Sequence, residues 1–391
     1  MLSALETLVE HSLVFVQRDS DGGVFYRLLE PVRHYAAEML QRSGEEADAR
    51  DQHAAYFISY AEQAAPQYQG QDGVIWLERT ESESDNLRAA LQWTLTSADG
   101  SSAARLAWAL WQPWWHRSEF DEGRRAVEAV LQLPLPPIWR ARVLVVHASL
   151  CDAQGDRSAA RQSWATALDI ARAEHDQAGE AYGLAGLAVL AMPTDPDLAT
   201  VQLQEALRLA ETVGEDWLTS LCNIWLGALT VAGGDPAAAR PPLERAISAA
   251  RSRGDRMVIS VGLVNLAQAA LLEDRVEEAE SHLKEGLALT RGMGTQVNLG
   301  VILSLLAVAA GRRHDWPAAA ALLGAAERIA ETPGARIHDS YLHDQDALTD
   351  TRAAACSVMG EVAFDEAFAS GRSVNVDDLV ARLLQRSADQ P

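Results

Sequence analysis

Small residues return along this chain at a fixed interval of 39 or 40 positions. Helical hairpins need such residues where their helices approach closely, and glycine suits a helix end. A stack of hairpins is therefore predicted, in which binding surfaces are more common than catalytic centres. The first series is Ala160, Ala199, Ala239, Ala279 and Ala319, the second is Ala167, Ala206, Ala246, Gly286 and Ala326, and the glycine series is Gly214, Gly254, Gly294 and Gly334.

The charge of the chain argues against nucleic acid as a direct partner. Among 391 residues, 55 are acidic and 33 are Lys or Arg, which gives a formal net charge of −22. Nucleic-acid affinity depends on neutralising phosphates with basic side chains. We therefore expect no direct nucleic-acid binding by this chain.

Cysteine usage and hydropathy indicate the compartment. Cys151, Cys222 and Cys356 are scattered and show no metal-ligand spacing, which fits a reducing environment. The amino terminus has no signal-peptide pattern, since Glu6 and Glu10 stand where positive charge is required. The longest apolar run, 301–310, is about half of the ~20 residues that a membrane span needs. A cytoplasmic protein without a membrane partner is expected.

Four regions follow one another along the chain. Residues 1–45 read as helix, strand, turn, strand and a helix opened by Pro31, which is the last half of a winged helix. Residues 46–137 form an irregular helical domain, and residues 138–336 form five hairpins. Residues 337–391 hold an acidic loop and a helical cap that closes the open end of the stack.

The spacing around one turn resembles that of tetratricopeptide repeats. Gly227 precedes the turn Gly234-Asp235 by seven residues, and Ala239 lies five residues beyond Gly234. Residues 274–279 (DRVEEA) resemble the start of the second helix of such a repeat. The resemblance implies an all-α, right-handed helical-repeat solenoid with a small α+β winged-helix remnant at the amino terminus.

Three further segments resemble bacterial STAND-type signalling ATPases and LuxR-like transcriptional regulators. They are residues 27–36 (RLLEPVRHYA), 85–93 (DNLRAALQW) and 360–368 (GEVAFDEAF). Members of that class combine a nucleotide-binding module, a winged helix, a repeat sensor and often a DNA-binding output. This chain departs from that layout, because it begins inside the winged helix and stops after the repeat cap.

The resemblance implies a regulatory region that binds a protein or a small-molecule inducer. Two alternatives stay open: a stand-alone tetratricopeptide adaptor, and the regulatory part of a larger cyclase-like or ATPase enzyme. The single lysine, Lys284, follows Leu283 and not the glycine of a phosphate-binding loop. We therefore expect no ATP binding, no cofactor and no catalysis. His338 and His343, each followed by Asp, match no metal-site spacing and are interpreted as part of a solvated loop.

Two apolar sets are candidates for binding. Trp108, Trp111 and Trp115 share one helix face and are expected to pack in the core, with an aromatic ligand platform as the alternative. Aligning the repeats on Gly227, Ala267 and Ala307 identifies a candidate partner groove for an amphipathic helix or an apolar small molecule. The same positions could instead be core between repeats. They are Leu221, Ile224, Val231, Val261, Val264, Leu271, Val301 and Val308.

Overall fold

The computed structural model describes residues 2–18, 24–290, 296–331 and 345–385. The predicted turn at 19–23, Gly294, Gly334 and the histidines of the acidic loop lie outside these residues. The chain divides into two compact units, Met1–Phe57 and Ile58–Pro391.

The first unit follows the order of elements that its sequence predicts. Helix α1 (Leu2–Glu10) precedes the antiparallel strands β1 (Val14–Arg18) and β2 (Val24–Leu28), which pair Val14 with Leu28. Helix α2 (Glu30–Ser43) has Pro31 in its first turn and ends at Gly44, whose φ of 78° is left-handed. Helix α3 (Glu46–Ala64) follows, and its residues after Phe57 belong to the second unit.

The second unit begins with short helices and continues as hairpins. A 3-10 helix (Ala65–Gln69) leads to α4 (Gly73–Ser82) and α5 (Ser84–Thr96). Helices α6 (Gly100–His116) and α7 (Phe120–Leu131), from the region expected to be irregular, form a hairpin that packs on the next one.

Five further hairpins lie between residues 137 and 330, as the repeat period predicts. Each packs on the next, and we call α6 and the opening helix of each later hairpin the first helices. The pairs are α8 (Pro137–Ala153) with α9 (Arg157–Ala173), α10 (Gln177–Ala191) with α11 (Pro196–Val213), α12 (Asp216–Ala232) with α13 (Pro236–Arg253), α14 (Arg256–Leu272) with α15 (Val276–Thr290), and α16 (Gln296–Arg312) with α17 (Trp316–Ala330).

Three helices follow the last hairpin. Helix α18 (Gln345–Met359) packs on α16 and α17, helix α19 (Glu361–Ser373) packs on α17, and helix α20 (Val376–Gln385) packs on α15. Arg372 of α19 pairs with Glu327 and Glu331 of α17 at 2.9 Å. These contacts cover the carboxyl-terminal side of the last hairpin.

Aspartate caps the start of seven of the twelve hairpin helices from α6 to α17. Each of seven Asp side chains accepts a hydrogen bond from the backbone N–H three residues on, which satisfies a helix-end donor. They are Asp99, Asp156, Asp176, Asp195, Asp235, Asp255 and Asp315.

The periodic small residues mark the helix contacts. All five alanines of the first series, which begins at Ala160, are fully buried at 0% exposure. Gly214 and Gly254 end α11 and α13 with φ values of 76° and 79°, a left-handed conformation that glycine adopts without strain. The sequence period therefore corresponds to the packing of the helices.

Candidate functional site

A cleft of about 180 Å³ runs along the first helices, and we call it the central cleft. Every first helix from α6 to α16 contributes lining residues. Most of the lining is apolar. Its aromatic members are Trp108, Trp111, Trp115, Trp164, Tyr182, Trp217 and Trp225.

Helix α6 supplies one aromatic wall. Trp108 meets Tyr182 edge-to-face with ring centroids 5.6 Å apart, and Trp111 meets Trp217 in the same way at 5.5 Å. Such pairs stabilise beyond the area they bury. Both residues also contact the hydrophobic core, so the tryptophan stripe packs as expected on one side and lines the cleft on the other.

Among the tryptophans of α6, the three of the stripe are not the most buried. Trp114, which lies off the stripe, is only 5% exposed and packs over Gly123 of α7, where an added Cβ would lie 2.8 Å from its ring. Helix α7 covers that face of α6. The stripe itself stays half-buried because the cleft lies in front of it.

Trp164 reaches the cleft from a second helix. It belongs to α9, and its ring lies against Gly186 of α10, where an added Cβ would stand 2.2 Å from Cε2. No side chain larger than hydrogen fits at this position without moving the ring. The absence of a side chain at Gly186 therefore leaves the space through which the Trp164 ring reaches the cleft.

The polar groups of the cleft are almost all uncharged. Gln112, Asn265, Gln268 and Asn298 are buried amides in the lining. His116 is 4% exposed, and burial, with a smaller effect of Arg117, lowers its pKa to about 4. The His116 imidazole is therefore neutral near pH 7.

Two buried nitrogens beside the cleft have no hydrogen-bond partner among the described residues. They are Nδ1 of His116 and Nε1 of Trp217. An unpaired buried polar atom costs about 1–3 kcal/mol.

The structure places all eight predicted groove residues on cavities of the first-helix face. Seven of them are buried in the hydrophobic core, and Val261 is half-buried. Core packing and cavity lining are thus combined at these positions, and partner binding there stays a prediction. Leu221, Ile224, Val261, Val264 and Val301 line the central cleft, whereas Val231, Leu271 and Val308 line a second cavity of about 330 Å³, the distal cavity.

A third cavity, the charged cavity, adjoins the central cleft. It has a volume of about 400 Å³ and shares five lining residues with the cleft. Its charged residues are Glu62, Arg105, Arg142 and Glu215. The shared residues are Trp108, Trp111, Gln112, Val145 and Tyr182.

A serine, a histidine and a glutamate also meet in space. Nδ1 of His147 lies 2.8 Å from Oγ of Ser163, and its Nε2 lies 3.5 Å from Glu128. Ser163 is only 7% exposed and lines none of the three cavities. Burial also raises the pKa of the neighbouring Cys151 thiol to about 11. This cluster therefore packs α7, α8 and α9 together and presents no activated nucleophile.

The described residues include neither a metal-binding cluster nor a membrane-spanning helix. Within those residues, no group of three His, Cys, Asp or Glu side chains is placed to hold a metal ion. None of the described helices has the length and apolar character required to cross a membrane. His338 and His343 lie outside the described residues.

Comparison with known proteins clarifies the amino-terminal unit. Residues 1–41 match the model of a winged helix-turn-helix domain. The chain begins with a winged helix-turn-helix domain. This finding agrees with the strand hairpin and flanking helices of the first unit, and with the part of a winged helix expected from the sequence.

Curated relatives carry the provisional name HTH-type transcriptional regulator. Proteins of Mycobacterium bovis and Mycobacterium tuberculosis are 33% identical over 273 residues, which is 66% of this chain. The chain spans only about 30% of the length of these relatives. It is therefore homologous to part of a longer regulator-like protein.

The helical-repeat architecture also occurs in a solved structure. A Rap protein complexed with Competence and Sporulation Factor has a TM-score of 0.51 at 14% identity and covers 89% of this chain and 99% of its own. NprR in complex with its cognate peptide NprX has a TM-score of 0.49 at 14% identity, with 72% and 86% covered. The likeness to the Rap protein shows the helical-repeat fold.

Proposed function

We propose that this chain is the ligand-sensing region of a transcriptional regulator of the STAND or LuxR-like type. In this proposal it binds a protein or small-molecule inducer in the cytoplasm and transmits its bound state without catalysing a reaction. The observation that carries the proposal is the central cleft, whose lining comes from six successive first helices.

The mechanism follows from the number of hairpins that one ligand would touch. Hairpins of a solenoid contact mainly their neighbours, so their relative positions can change by small steps that add along the stack. A ligand that contacts several first helices favours one arrangement of them. It shifts the population of the repeat unit only as far as its affinities for the two arrangements differ.

The lining indicates the chemistry of the ligand. A charge placed in an apolar cleft loses its hydration, whereas apolar and aromatic groups gain free energy from burial. The amide side chains of the lining and the neutral His116 carry no net charge. We infer that an uncharged apolar or aromatic moiety occupies the central cleft. The Rap protein, with its bound factor, supports a binding role for this kind of fold.

Calorimetry with naphthaleneethanol tests this proposal, because the probe is neutral, aromatic and carries one hydroxyl. We expect saturable binding to the full chain. The variant Val261→Phe should weaken it by about tenfold or more, since Val261 is half-buried and its enlarged side chain would enter the cleft. Hydrogen exchange should slow in α6 and α14 together when the probe binds.

The matched control is Val201→Phe, which adds the same bulk at a site that is 64% exposed on α11. It should bind the probe like the natural chain. Absence of binding by the natural chain, or equal effects of the two substitutions, would contradict the proposal.

A further inference from the structure

Arg142 of α8 lines the charged cavity, and its guanidinium lies over the rings of two tryptophans. Its guanidinium carbon is 5.0 Å from the ring centroid of Trp139 and 5.6 Å from that of Trp108. Trp108 also lines the central cleft. A guanidinium stacked on aromatic rings keeps its N–H edge available for a planar acceptor.

No described carboxylate forms an ion pair with Arg142. The two other arginines that line the cavities are paired, Arg105 with Glu62 at 2.6 Å and Arg312 with Asp274 at 3.1 Å. Acidic residues outnumber basic ones by 55 to 33, so the lack of a partner does not reflect a shortage of carboxylates. Arg142 is half-buried, which strengthens its interaction with an anion compared with a fully exposed arginine.

We propose that Arg142 binds the carboxylate of a ligand whose apolar part occupies the central cleft. This inference rests on the function proposed above and specifies its ligand as an amphipathic monocarboxylate. Because the central cleft and the charged cavity share lining residues, one ligand molecule would extend from one into the other. Glu215, which accepts a hydrogen bond from Tyr182 at 3.4 Å in the same cavity, disfavours anions of higher charge such as phosphate esters.

Matched probes test the inference by calorimetry on the full chain. Naphthylacetate and naphthaleneethanol share the ring and the two-carbon chain, and they differ in the carboxylate. We expect naphthylacetate to bind about tenfold more tightly, as a charge-assisted bidentate contact predicts. Arg142→Gln should remove this preference, so that the variant binds the two probes with similar affinity. Arg142→Lys should retain only part of the preference, because an ammonium lacks the planar edge.

Arg105→Gln is the control, since it removes the same charge from the same cavity. It should keep the preference for naphthylacetate. Equal affinities of the natural chain for both probes would overturn the carboxylate subsite while leaving ligand binding in the cleft intact. Tighter binding of naphthyl phosphate than of naphthylacetate would overturn the choice of carboxylate. If neither probe binds, the proposed function fails and the subsite fails with it.

Discussion

Burial shifts the pKa values of individual side chains around the central cleft. It lowers the pKa of His116 to about 4 and raises the pKa of Asp152, both of which line the cleft. It also raises the pKa of the Cys222 thiol on α12 to about 12. In each case the neutral form is favoured because the charged form loses hydration.

His116 should make the stability of the chain depend on pH. Its pKa in the folded state lies below the ordinary value of 6.5, so the unfolded chain binds more protons between these values. Its stabilising contribution is present above pH 6.5 and is lost as the pH falls towards 4. In urea unfolding, the stability advantage of the natural chain over His116→Gln should shrink by about 1–3 kcal/mol from about pH 7 to about pH 4.

The comparison with the variant is needed because Asp255 acts in the opposite direction. Burial raises its pKa from 3.8 to about 6, so its contribution is present below 3.8 and is lost as the pH rises through 6. This contribution is common to both proteins and cancels in the difference. A difference that does not change with pH would show that His116 is solvated or partnered in the folded chain.

Substitutions at Val264 and Val261 distinguish a core-packing role from a cleft-lining role. Both line the central cleft, but Val264 is 7% exposed and belongs to the hydrophobic core, whereas Val261 is half-buried. Val264→Asp should lower the free energy of unfolding by about 2–4 kcal/mol, because it buries an unpaired charge. Val261→Asp should cost less than half as much in chemical denaturation. Equal, small losses would show that water reaches Val264 and would favour the groove interpretation of these positions.

At the scale of the helix, glycines of the first helices receive large side chains from the second helices. Gly227 faces Leu243 and Gly262 faces Ile247, each with 2.5 Å to the nearest atom from an added Cβ. Gly186 faces Trp164 even more closely. Close approach of two helices at these points requires the absence of a side chain on one of them.

Two glycine-to-alanine substitutions should therefore have opposite effects. Gly186→Ala should destabilise the chain by about 1–3 kcal/mol through overpacking, shift the fluorescence of Trp164 and weaken naphthaleneethanol binding. Gly286→Ala should raise stability by about 0.5–1 kcal/mol.

Gly286→Ala is the matched control, because it makes the same change in another helix of the repeat stack. Gly286 lies in α15 at the position that Ala167, Ala206, Ala246 and Ala326 occupy in the other repeats, and an added Cβ would have its nearest neighbour at 3.5 Å. Thermal unfolding of both variants measures the contrast. Equal losses of stability in the two variants would show that the packing of the Trp164 ring does not require glycine at position 186.

For the whole molecule, the distribution of charge opposes DNA binding by this chain despite its winged helix-turn-helix domain. In α2, Arg33 pairs with Glu30 at 2.5 Å and Arg42 with Glu38 at 3.9 Å. The basic side chains of this helix are thus neutralised locally, within a chain of net charge −22.

We therefore predict that the purified chain does not discriminate a specific duplex from a scrambled one in a mobility-shift experiment at moderate salt. Phosphate contacts supply most of the affinity for DNA, and the acidic surface repels phosphates. A sequence-specific shift would contradict this prediction. It would instead assign an output role to the winged helix-turn-helix domain within this chain.

Much of the architecture could be predicted from the amino-acid sequence. The spacing of small residues predicted the hairpins, and the pair Gly234-Asp235 predicted the turn between α12 and α13, because both depend on residues within one repeat. Likewise, the alternation of strand residues and the position of Pro31 predicted the first unit. The eight groove positions followed from the same register, although their twofold role as core and cavity lining did not.

The tertiary structure alone decided the shape and chemistry of the site. The guanidinium of Arg142 lies over the rings of Trp139 and Trp108, and the ring of Trp164 packs against Gly186. Trp111 meets Trp217 although about 100 residues of sequence separate them. A hydrophobic pattern indicates which face of a helix is buried, but it does not identify the residues of other helices that pack against that face. The stacking of successive hairpins brings these distant side chains together, and burial in the stack shifts pKa values towards the neutral forms, as at His116.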